Sequence, residues 1–273
     1  MACPESHDAD PPGTGGDRPR ALTVAGSDSS AGAGVQADLK TFSDFGVYAA
    51  CVVTAVTAQS TRGITQALHM PPDLVRAQLD AVLGDIGADA AKTGMLANAA
   101  IARVVAESFK ERRIANLVVD PVLRAKDGTA LLDRAGLTAL RDLLLPLAAI
   151  VTPNAPEASA LAEMPVENSD QAREAARRIA DMGCRSVLIT GGHLQGEPAD
   201  IFYHEGEFAQ LKAERILGPA VHGTGCALSA AIAALLALGR PLRDAVVEAH
   251  GYLQAQLRRA ISIGSGFRVL PPP

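Results

Sequence analysis

Short runs of apolar residues alternate with segments of helical periodicity along most of the chain. Strands are predicted where short apolar runs end in turn residues, and helices where apolar positions recur every three to four residues. The predicted strands are residues 21–25, 47–56, 88–92, 117–119, 149–151 and 187–189, followed by a hairpin of residues 201–203 and 207–211. The predicted helices are residues 34–45, 71–83, 97–112, 137–147, 171–182, 224–238 and 242–261.

The order of these elements predicts an α/β fold. Continuously apolar strands are typical of a parallel sheet with helices on both faces, so we expect a three-layer α/β/α sandwich around a mostly parallel central sheet. We expect residues 20–273 to form one domain, because no linker-like stretch interrupts them. Residues 1–19 are rich in Pro, Gly, Asp and Ser, which predicts a disordered leader.

Composition excludes several classes of protein. The chain has 273 residues, a net charge of −5 and only 3% aromatic residues, which does not favour a partner nucleic acid or an anionic membrane. It has no uninterrupted apolar run long enough to span a bilayer and no signal peptide, so we expect a cytoplasmic protein. The 4 cysteines are widely spaced and form no C-x-x-C pair, so neither a zinc site nor a disulfide framework is expected.

Polar and glycine residues cluster where the predicted strands end. In open parallel sheets, ligands bind beyond the carboxyl ends of the strands, so this clustering predicts a binding crevice there. The residues at these ends are Gly26, Ser27, Asp28, Gln59, Lys92, Thr93, Gly94, Met95, Asp120, Pro121, Asn154, Thr190, Gly191 and Gly192.

Two glycine-rich turns lead from a strand into a helix. The first, residues 26–34, suits the approach of a ligand to backbone N–H groups, and a flexible loop explains it equally well. In the second, Gly223, Thr224 and Gly225 open a long helix, whose N-terminus favours an anion such as a transferring phosphoryl group. Cys226 stands in the first turn, where we expect a lowered thiol pKa. The alternative is an ordinary helix start with Cys226 packed as a small hydrophobe.

The remaining candidate residues each have two interpretations. Asn154 suits a helix cap, or Asn154 and Glu157 face a hydrated Mg²⁺, which needs only one or two carboxylates and keeps its waters. Gln59 is either a polar loop residue or an amide that recognises the edge of a heteroaromatic ring. Asp38 is either a solvated helix charge or a member of the site, and the same two interpretations hold for the strand-end residues Asp120 and Lys92.

Together, these motifs resemble one known family. The segments occur in the order Gly-Ser-Asp-Ser (26–29), Gln-Ala-Asp-Leu-Lys-Thr-Phe (36–42), Thr-Ala-Val-Thr-Ala-Gln (54–59), Lys-Thr-Gly-Met-Leu (92–96), Asp-Pro-Val (120–122), Thr-Pro-Asn (152–154), Gly-Gly-His (191–193) and His-Gly-Thr-Gly-Cys (222–226). The ordered set, across residues 20–265, resembles the hydroxymethylpyrimidine/phosphomethylpyrimidine kinases of thiamine biosynthesis, in the ribokinase-like superfamily.

The resemblance implies a homodimeric kinase with a ribokinase-like fold that uses ATP and Mg²⁺. Such a kinase phosphorylates 4-amino-5-hydroxymethyl-2-methylpyrimidine and then phosphorylates the monophosphate again. By this resemblance, Gln59 recognises the aminopyrimidine edge, and Gly26, Asp38, Met95 and Val122 line the same pocket. Asp120, Asn154 and Glu157 belong to the nucleotide and Mg²⁺ side, and Gly223, Thr224, Gly225 and Cys226 form the anion hole.

Cys226 has a physical rationale under this resemblance. Related sugar kinases carry at this position an Asp that takes the proton of the acceptor hydroxyl. The acceptor of the second step is a phosphate that is already anionic near pH 7, so that step needs no base and a fixed carboxylate would repel it. A neutral or weakly acidic thiol tolerates both acceptors.

Two departures from the family pattern lie on the ATP side. Thr190 stands where the family usually has a Lys that faces the ATP phosphates, and residues 217–221 replace a segment that is usually polar. Lys126 reaches the phosphates from a loop, or is an ordinary solvated lysine. The departures keep one other function open, a non-catalytic pyrimidine-binding paralogue. A pyridoxal-type vitamin kinase on the same fold is a second alternative, against which Cys226 argues.

Overall fold

A nine-stranded sheet organises the chain in the computed structural model, which describes residues 18–193, 199–213 and 220–272. The strands are β1 (Arg20–Asp28), β2 (Tyr48–Ser60), β3 (Gly63–His69), β4 (Ala90–Thr93), β5 (Leu117–Val119), β6 (Ile150–Val151), β7 (Ser186–Ile189), β8 (Ala199–His204) and β9 (Glu207–Lys212). Their order is β3-β2-β1-β4-β5-β6-β7-β8-β9. Six adjacent strands are parallel to one another: β2, β1, β4, β5, β6 and β7. At the two edges of the sheet, β3 pairs antiparallel with β2, β8 with β7, and β9 with β8.

Helices cover both faces of the sheet. They are α1 (Gly34–Asp44), α2 (Pro72–Asp85), α3 (Ala99–Arg112), α4 (Arg134–Ala139), α5 (Ala155–Ala162), α6 (Ser169–Ala180), α7 (Thr224–Ala237) and α8 (Leu242–Arg258). Helices α2 to α6 pack on one face, and α1, α7 and α8 pack on the other. A separate two-stranded sheet joins β10 (Val221–His222) to β11 (Arg268–Val269).

The period of two within each strand separates two hydrophobic cores. On β5, Leu117 and Val119 enter the core beneath α2 to α6, whereas Val118 enters the core beneath α1, α7 and α8. All three are fully buried, which is why the sequence reads as a continuous apolar run. The predicted three-layer sandwich with a mostly parallel sheet is therefore confirmed.

Several elements differ from the sequence prediction. Strand β3 was not predicted, because its side chains are mostly exposed and it carries no buried apolar pattern. The pair β10–β11 was also missed, and helix α5 was indicated only by the helix-cap interpretation of Asn154. The predicted helix 137–147 is α4 followed by a π-helical turn at Leu140–Leu144 and a 3-10 turn at Leu145–Leu147, where Pro146 offers no backbone N–H. Residues 1–17 of the predicted leader lie outside the described residues.

Candidate active site

A cavity of about 500 Å³ opens at the carboxyl ends of the parallel strands. Its wall combines the last residues of β1, residues that follow β4, β5 and β6, and the turn that opens α7. All the predicted site residues except Asp38 line it: Gly26, Gln59, Met95, Asp120, Val122, Asn154, Glu157, Thr190, Gly223, Thr224, Gly225 and Cys226. The crevice predicted from the strand ends thus exists and gathers residues that are up to 200 positions apart, from Gly26 to Cys226.

A close contact shapes one wall of the cavity. A Cβ atom at Gly26 would lie 2.9 Å from Met95 Sδ, so a larger residue at position 26 would displace the methionine side chain. Met95 is held in turn by its carbonyl oxygen, which accepts a 2.6 Å hydrogen bond from the Thr54 hydroxyl. Glycine at position 26 therefore keeps space beside an apolar wall, as a flat ring would need.

Gln59 lies inside β2 rather than after it, because the strand continues to Ser60. Its amide Nε2 lies 2.8 Å from His222 Nε2, and its Oε1 lies 3.0 Å from the Thr57 hydroxyl. His222 Nε2 is also 3.0 Å from Asp28 Oδ2. Asp28 and His222 each stand within a motif of the sequence, but neither had a predicted role of its own.

Two glycine-rich turns meet at the start of α7. Gly223 has a left-handed backbone with φ of 78°, and a Cβ atom there would lie 1.9 Å from the carbonyl oxygen of Gly32. Only glycine allows this approach. The 14-residue helix α7 then begins at Thr224, and its N-terminus carries roughly half a positive charge. The backbone N–H groups and this partial charge face a cavity that suits an anion.

Cys226 differs from the sequence prediction in its acidity. Burial of the thiol raises its pKa to about 12, and the nearby carboxylates of Asp38 and Asp120 act in the same direction. Lys92 opposes this effect without reversing it. The predicted lowering of the thiol pKa is therefore wrong, and Cys226 is a neutral thiol at physiological pH.

Asp38 lies behind the cavity rather than in its wall. Its carboxylate is fully buried and receives Lys92 Nζ at 2.9 Å on both oxygens, together with the Thr23 hydroxyl at 2.6 Å. A buried carboxylate needs such partners, and here the partner is a lysine on the neighbouring strand β4. The prediction that Asp38 lines the pocket is wrong, as is the alternative of a solvated helix charge.

Asp120 connects this buried pair to the cavity. Lys92 Nζ lies 3.9 Å from Asp120 Oδ2, and the Ser229 hydroxyl on α7 donates to the same oxygen at 3.1 Å. The position of a Cβ atom at Gly225 is 3.8 Å from Asp120 Oδ2. A carboxylate therefore lies beside the N-terminus of α7.

Asn154 and Glu157 form a capping box at the start of α5. Asn154 Oδ1 accepts from the Glu157 N–H, and Glu157 Oε2 accepts from the Asn154 N–H, both at 2.9 Å. The helix-cap interpretation of Asn154 is confirmed. Burial, followed by the charge of Asp120, raises the pKa of Glu157 to about 8, although the backbone N–H groups of Asn154 and Leu123 partly offset it.

Comparison with known proteins identifies the family. A sequence model of the family described as phosphomethylpyrimidine kinase matches residues 28–270. The chain belongs to the phosphomethylpyrimidine kinase family. The hydroxymethylpyrimidine/phosphomethylpyrimidine kinase of Escherichia coli is 44% identical over 93% of this chain and 96% of that protein. The thiamine biosynthesis bifunctional protein ThiED of Geobacter sulfurreducens is 47% identical over 90% of this chain, and the match spans 50% of that longer protein.

Solved structures share the fold. The phosphomethylpyrimidine kinase of Clostridium difficile has 39% identity and a TM-score of 0.78, over 86% of this chain and 98% of that one. The Bacillus subtilis pyridoxal kinase, solved as an ADP complex, has 37% identity and a TM-score of 0.88, over 94% of this chain and 98% of that one. The ribokinase-like fold that the sequence motifs imply is therefore confirmed.

One of the two departures from the phosphomethylpyrimidine kinase pattern, Thr190, lies in the cavity wall. Thr190 lines the cavity and donates its backbone N–H to Pro153 at 3.0 Å. Lys126 also lines it, and its Nζ donates to the carbonyl oxygen of Val221 at 3.2 Å. Burial lowers the pKa of this lysine. Of the unusual segment 217–221, residues 217–219 lie outside the described residues.

Proposed function

We propose that this chain transfers the γ-phosphoryl group of ATP to 4-amino-5-hydroxymethyl-2-methylpyrimidine, and then to the resulting monophosphate, in thiamine biosynthesis. The observation that carries the proposal is the shared cavity. One side offers an amide and an apolar wall for a small ring, through Gln59, Gly26 and Met95, and the other offers the N-terminus of α7 for a phosphoryl group. Val122 completes the pyrimidine side. Phosphoryl transfer depends mainly on such positioning and charge stabilisation.

The neutral thiol of Cys226 supports the use of both acceptors. In the first step, the acceptor oxygen bonds to the γ-phosphorus while the bond to ADP breaks, and the hydroxyl proton is released. In the second step, the acceptor is already an anionic phosphate. A protonated Cys226 adds no negative charge beside Gly223, Thr224 and Gly225, so it does not repel that second acceptor.

The acidic side of the cavity fits Mg²⁺ and nucleotide. Glu157 and Asp120 are both buried, and burial together with the charge of Asp120 raises the pKa of Glu157. Proteins hold Mg²⁺ through one or two carboxylates while it keeps several waters, and such an ion would neutralise phosphate charge here. We assign Glu157 and Asp120 to that ion, with Asn154 acting through water because its side-chain oxygen already caps α5. Thr190 would contact the nucleotide from β7.

A coupled ADP-release assay with Mg-ATP tests the proposal. The pyrimidine and its monophosphate are supplied as separate acceptors, with a Thr190→Lys variant alongside. Turnover on both acceptors supports the two-step kinase. No turnover on either, with the pyrimidine still bound in calorimetry and activity restored in Thr190→Lys, supports a non-catalytic binding paralogue instead.

A second candidate substrate is pyridoxal. The likeness to solved pyridoxal kinases favours it, since the Staphylococcus aureus enzyme has 34% identity and a TM-score of 0.87, over 94% of both chains. Pyridoxal in the same assay distinguishes the two: a higher kcat/KM for pyridoxal than for the pyrimidine would make it the main substrate. We expect the reverse order.

We also propose a homodimer. The antiparallel pair β2–β3 exposes apolar side chains on its outer face, with Val56 paired directly to Leu68 and 47% and 68% exposed. Light scattering on the wild type and on Leu68→Lys tests this assembly.

Among the described residues, none of the helices has the length and apolar character that a membrane span requires. A cytoplasmic location and a single domain over residues 20–273 complete the proposal.

A further inference from the structure

The amide of Gln59 lies between two groups that constrain which way it faces. The backbone of Gln59 is fixed by the Ser29 hydroxyl, which accepts from its N–H at 2.8 Å and donates to its carbonyl oxygen at 2.7 Å. The remaining freedom is a half-turn of the amide group, which exchanges its oxygen and nitrogen. One end of the amide contacts Thr57 at 3.0 Å and the other contacts His222 at 2.8 Å.

The Thr57 hydroxyl decides one end of the amide. It has a single proton, and the carbonyl oxygen of Ser27, 2.9 Å away, can only accept it. Thr57 can then only accept from Gln59, so the group facing it must be the amide NH₂. This requires the half-turn that brings Gln59 Oε1 to His222.

His222 gives the same answer independently. Its Nε2 is 3.0 Å from a carboxylate oxygen of Asp28 and 2.8 Å from the Gln59 amide. One ring nitrogen cannot donate to a carboxylate and also accept from an amide N–H. With a proton on Nε2, shared between Asp28 and Gln59 Oε1, both contacts are favourable.

Asp28 is built to hold that proton on His222 Nε2. Its carboxylate accepts from the backbone N–H and hydroxyl of Ser30 and from the Ala33 N–H, each at 2.8 Å. Burial would raise the pKa of Asp28, but the hydrogen bonds from His222 and Ser30 outweigh it and lower the pKa. The imidazole is also held in place by packing, since a Cβ atom at Gly32 would lie 2.7 Å from its Cδ2.

We propose that Asp28 and His222 are positioning residues that fix the Gln59 amide with its oxygen toward His222 and its nitrogen toward Thr57. The amide then keeps one N–H and one oxygen lone pair for a ligand, in a fixed order. This inference rests on the proposed function, because it takes the ligand at Gln59 to be an aminopyrimidine. A fixed amide gives a reason for selectivity between two pyrimidines. A 4-amino group donates a hydrogen bond and the adjacent ring nitrogen accepts one, whereas in the 4-oxo tautomer the oxygen accepts and the ring N–H donates.

The test compares two acceptors in four proteins. The acceptors are 4-amino-5-hydroxymethyl-2-methylpyrimidine and its 4-oxo analogue, and the readouts are the ratio of their kcat/KM values and, without ATP, the ratio of their Kd values. The proteins are the wild type, His222→Phe, His222→Gln and His250→Phe. Gln at position 222 can return an N–H donor near the place of Nε2. His250 is a matched control, because it is a buried histidine 3.7 Å from Asp200 and does not line the cavity.

We expect the wild-type preference for the 4-amino compound to fall about 10-fold or more in His222→Phe, because the amide oxygen then loses its donor and only Thr57 still opposes the half-turn. We expect His222→Gln to retain most of the preference and His250→Phe to leave it unchanged. An unchanged ratio in His222→Phe, or an equal loss with both analogues, would overturn the inference. Failure of the wild type to use the 4-amino compound at all would instead overturn the proposed function.

Discussion

Lys92 Nζ lies 2.9 Å from both carboxylate oxygens of Asp38, and neither side chain has any exposure to solvent. The pair joins β4 to α1 behind the cavity, and Lys92 Nζ also lies near Asp120. The charges of Asp38 and Asp120 outweigh burial and raise the pKa of Lys92 above its usual value. Burial raises the pKa of the Asp38 carboxyl despite its contacts with Lys92 and Thr23. The two 2.9 Å contacts therefore hold together a pair that burial alone would penalise.

Removing one member of this pair should be strongly destabilising. We expect Lys92→Met to lower the free energy of unfolding by about 3–5 kcal/mol, because it leaves Asp38 buried without a cation. Asp38→Asn should cost less, since Lys92 keeps Asp120 as a partner. Urea unfolding measures both, and the exposed Arg76→Met is the control, with little loss expected because its ion pairs are exposed to solvent. Equal losses in Lys92→Met and Arg76→Met would contradict this account.

The sequence predicts the features that depend on neighbouring residues of the chain, but it does not predict the Asp38–Lys92 ion pair. The continuous apolar run of β5 and the helix cap at Asn154 each depend on residues of a single element, so the local pattern predicts them. The Asp38–Lys92 pair joins residues 54 positions apart, and nothing local to either residue indicates the other. The thiol pKa of Cys226 likewise depends on what surrounds it in space.

A negative charge at position 226 should slow the second phosphorylation step more than the first. We expect Cys226→Asp to lower kcat/KM for the monophosphate at least 10 times more than for the pyrimidine, because a carboxylate there repels an anionic acceptor. Cys226→Ser, which stays neutral, is the matched control and should affect both acceptors to a similar extent. If Cys226→Ser leaves both phosphorylations at wild-type rates, Cys226 has no chemical role and is a packing residue.

Lys126 should compensate in part for Thr190. We expect Lys126→Met to raise the KM for ATP several-fold, because its ammonium group lies in the cavity wall and neutralises phosphate charge. Lys40→Met is the control. Lys40 Nζ also donates to a backbone carbonyl, that of Ala31 at 2.8 Å, but Lys40 does not line the cavity. Adding Thr190→Lys should restore the KM of the Lys126→Met enzyme. An unchanged KM in Lys126→Met would show that this lysine does not serve the nucleotide.

Glu157 should make the stability of the metal-free protein depend on pH. Its pKa is about 8 in the folded state and 4.5 ordinarily, so between these values the folded protein keeps a proton that the unfolded chain has lost. The free energy of unfolding should therefore fall as pH rises through this window. Glu157→Gln should flatten that slope, and Mg²⁺ should restore stability to the wild type at pH 8. Urea titrations from pH 5 to 8 in EDTA measure it, and an identical slope in Glu157→Gln would argue against a buried, titrating Glu157.

The most direct test of the central claim is the fate of the monophosphate in the purified wild-type enzyme. Mass spectrometry would follow 4-amino-5-hydroxymethyl-2-methylpyrimidine over time with Mg-ATP, and then its monophosphate as the sole acceptor. We predict that the monophosphate forms first, that the diphosphate follows, and that the diphosphate also forms from added monophosphate, with one ADP per transfer. Accumulation of monophosphate without any diphosphate, or no reaction with either compound, would contradict the two-step kinase.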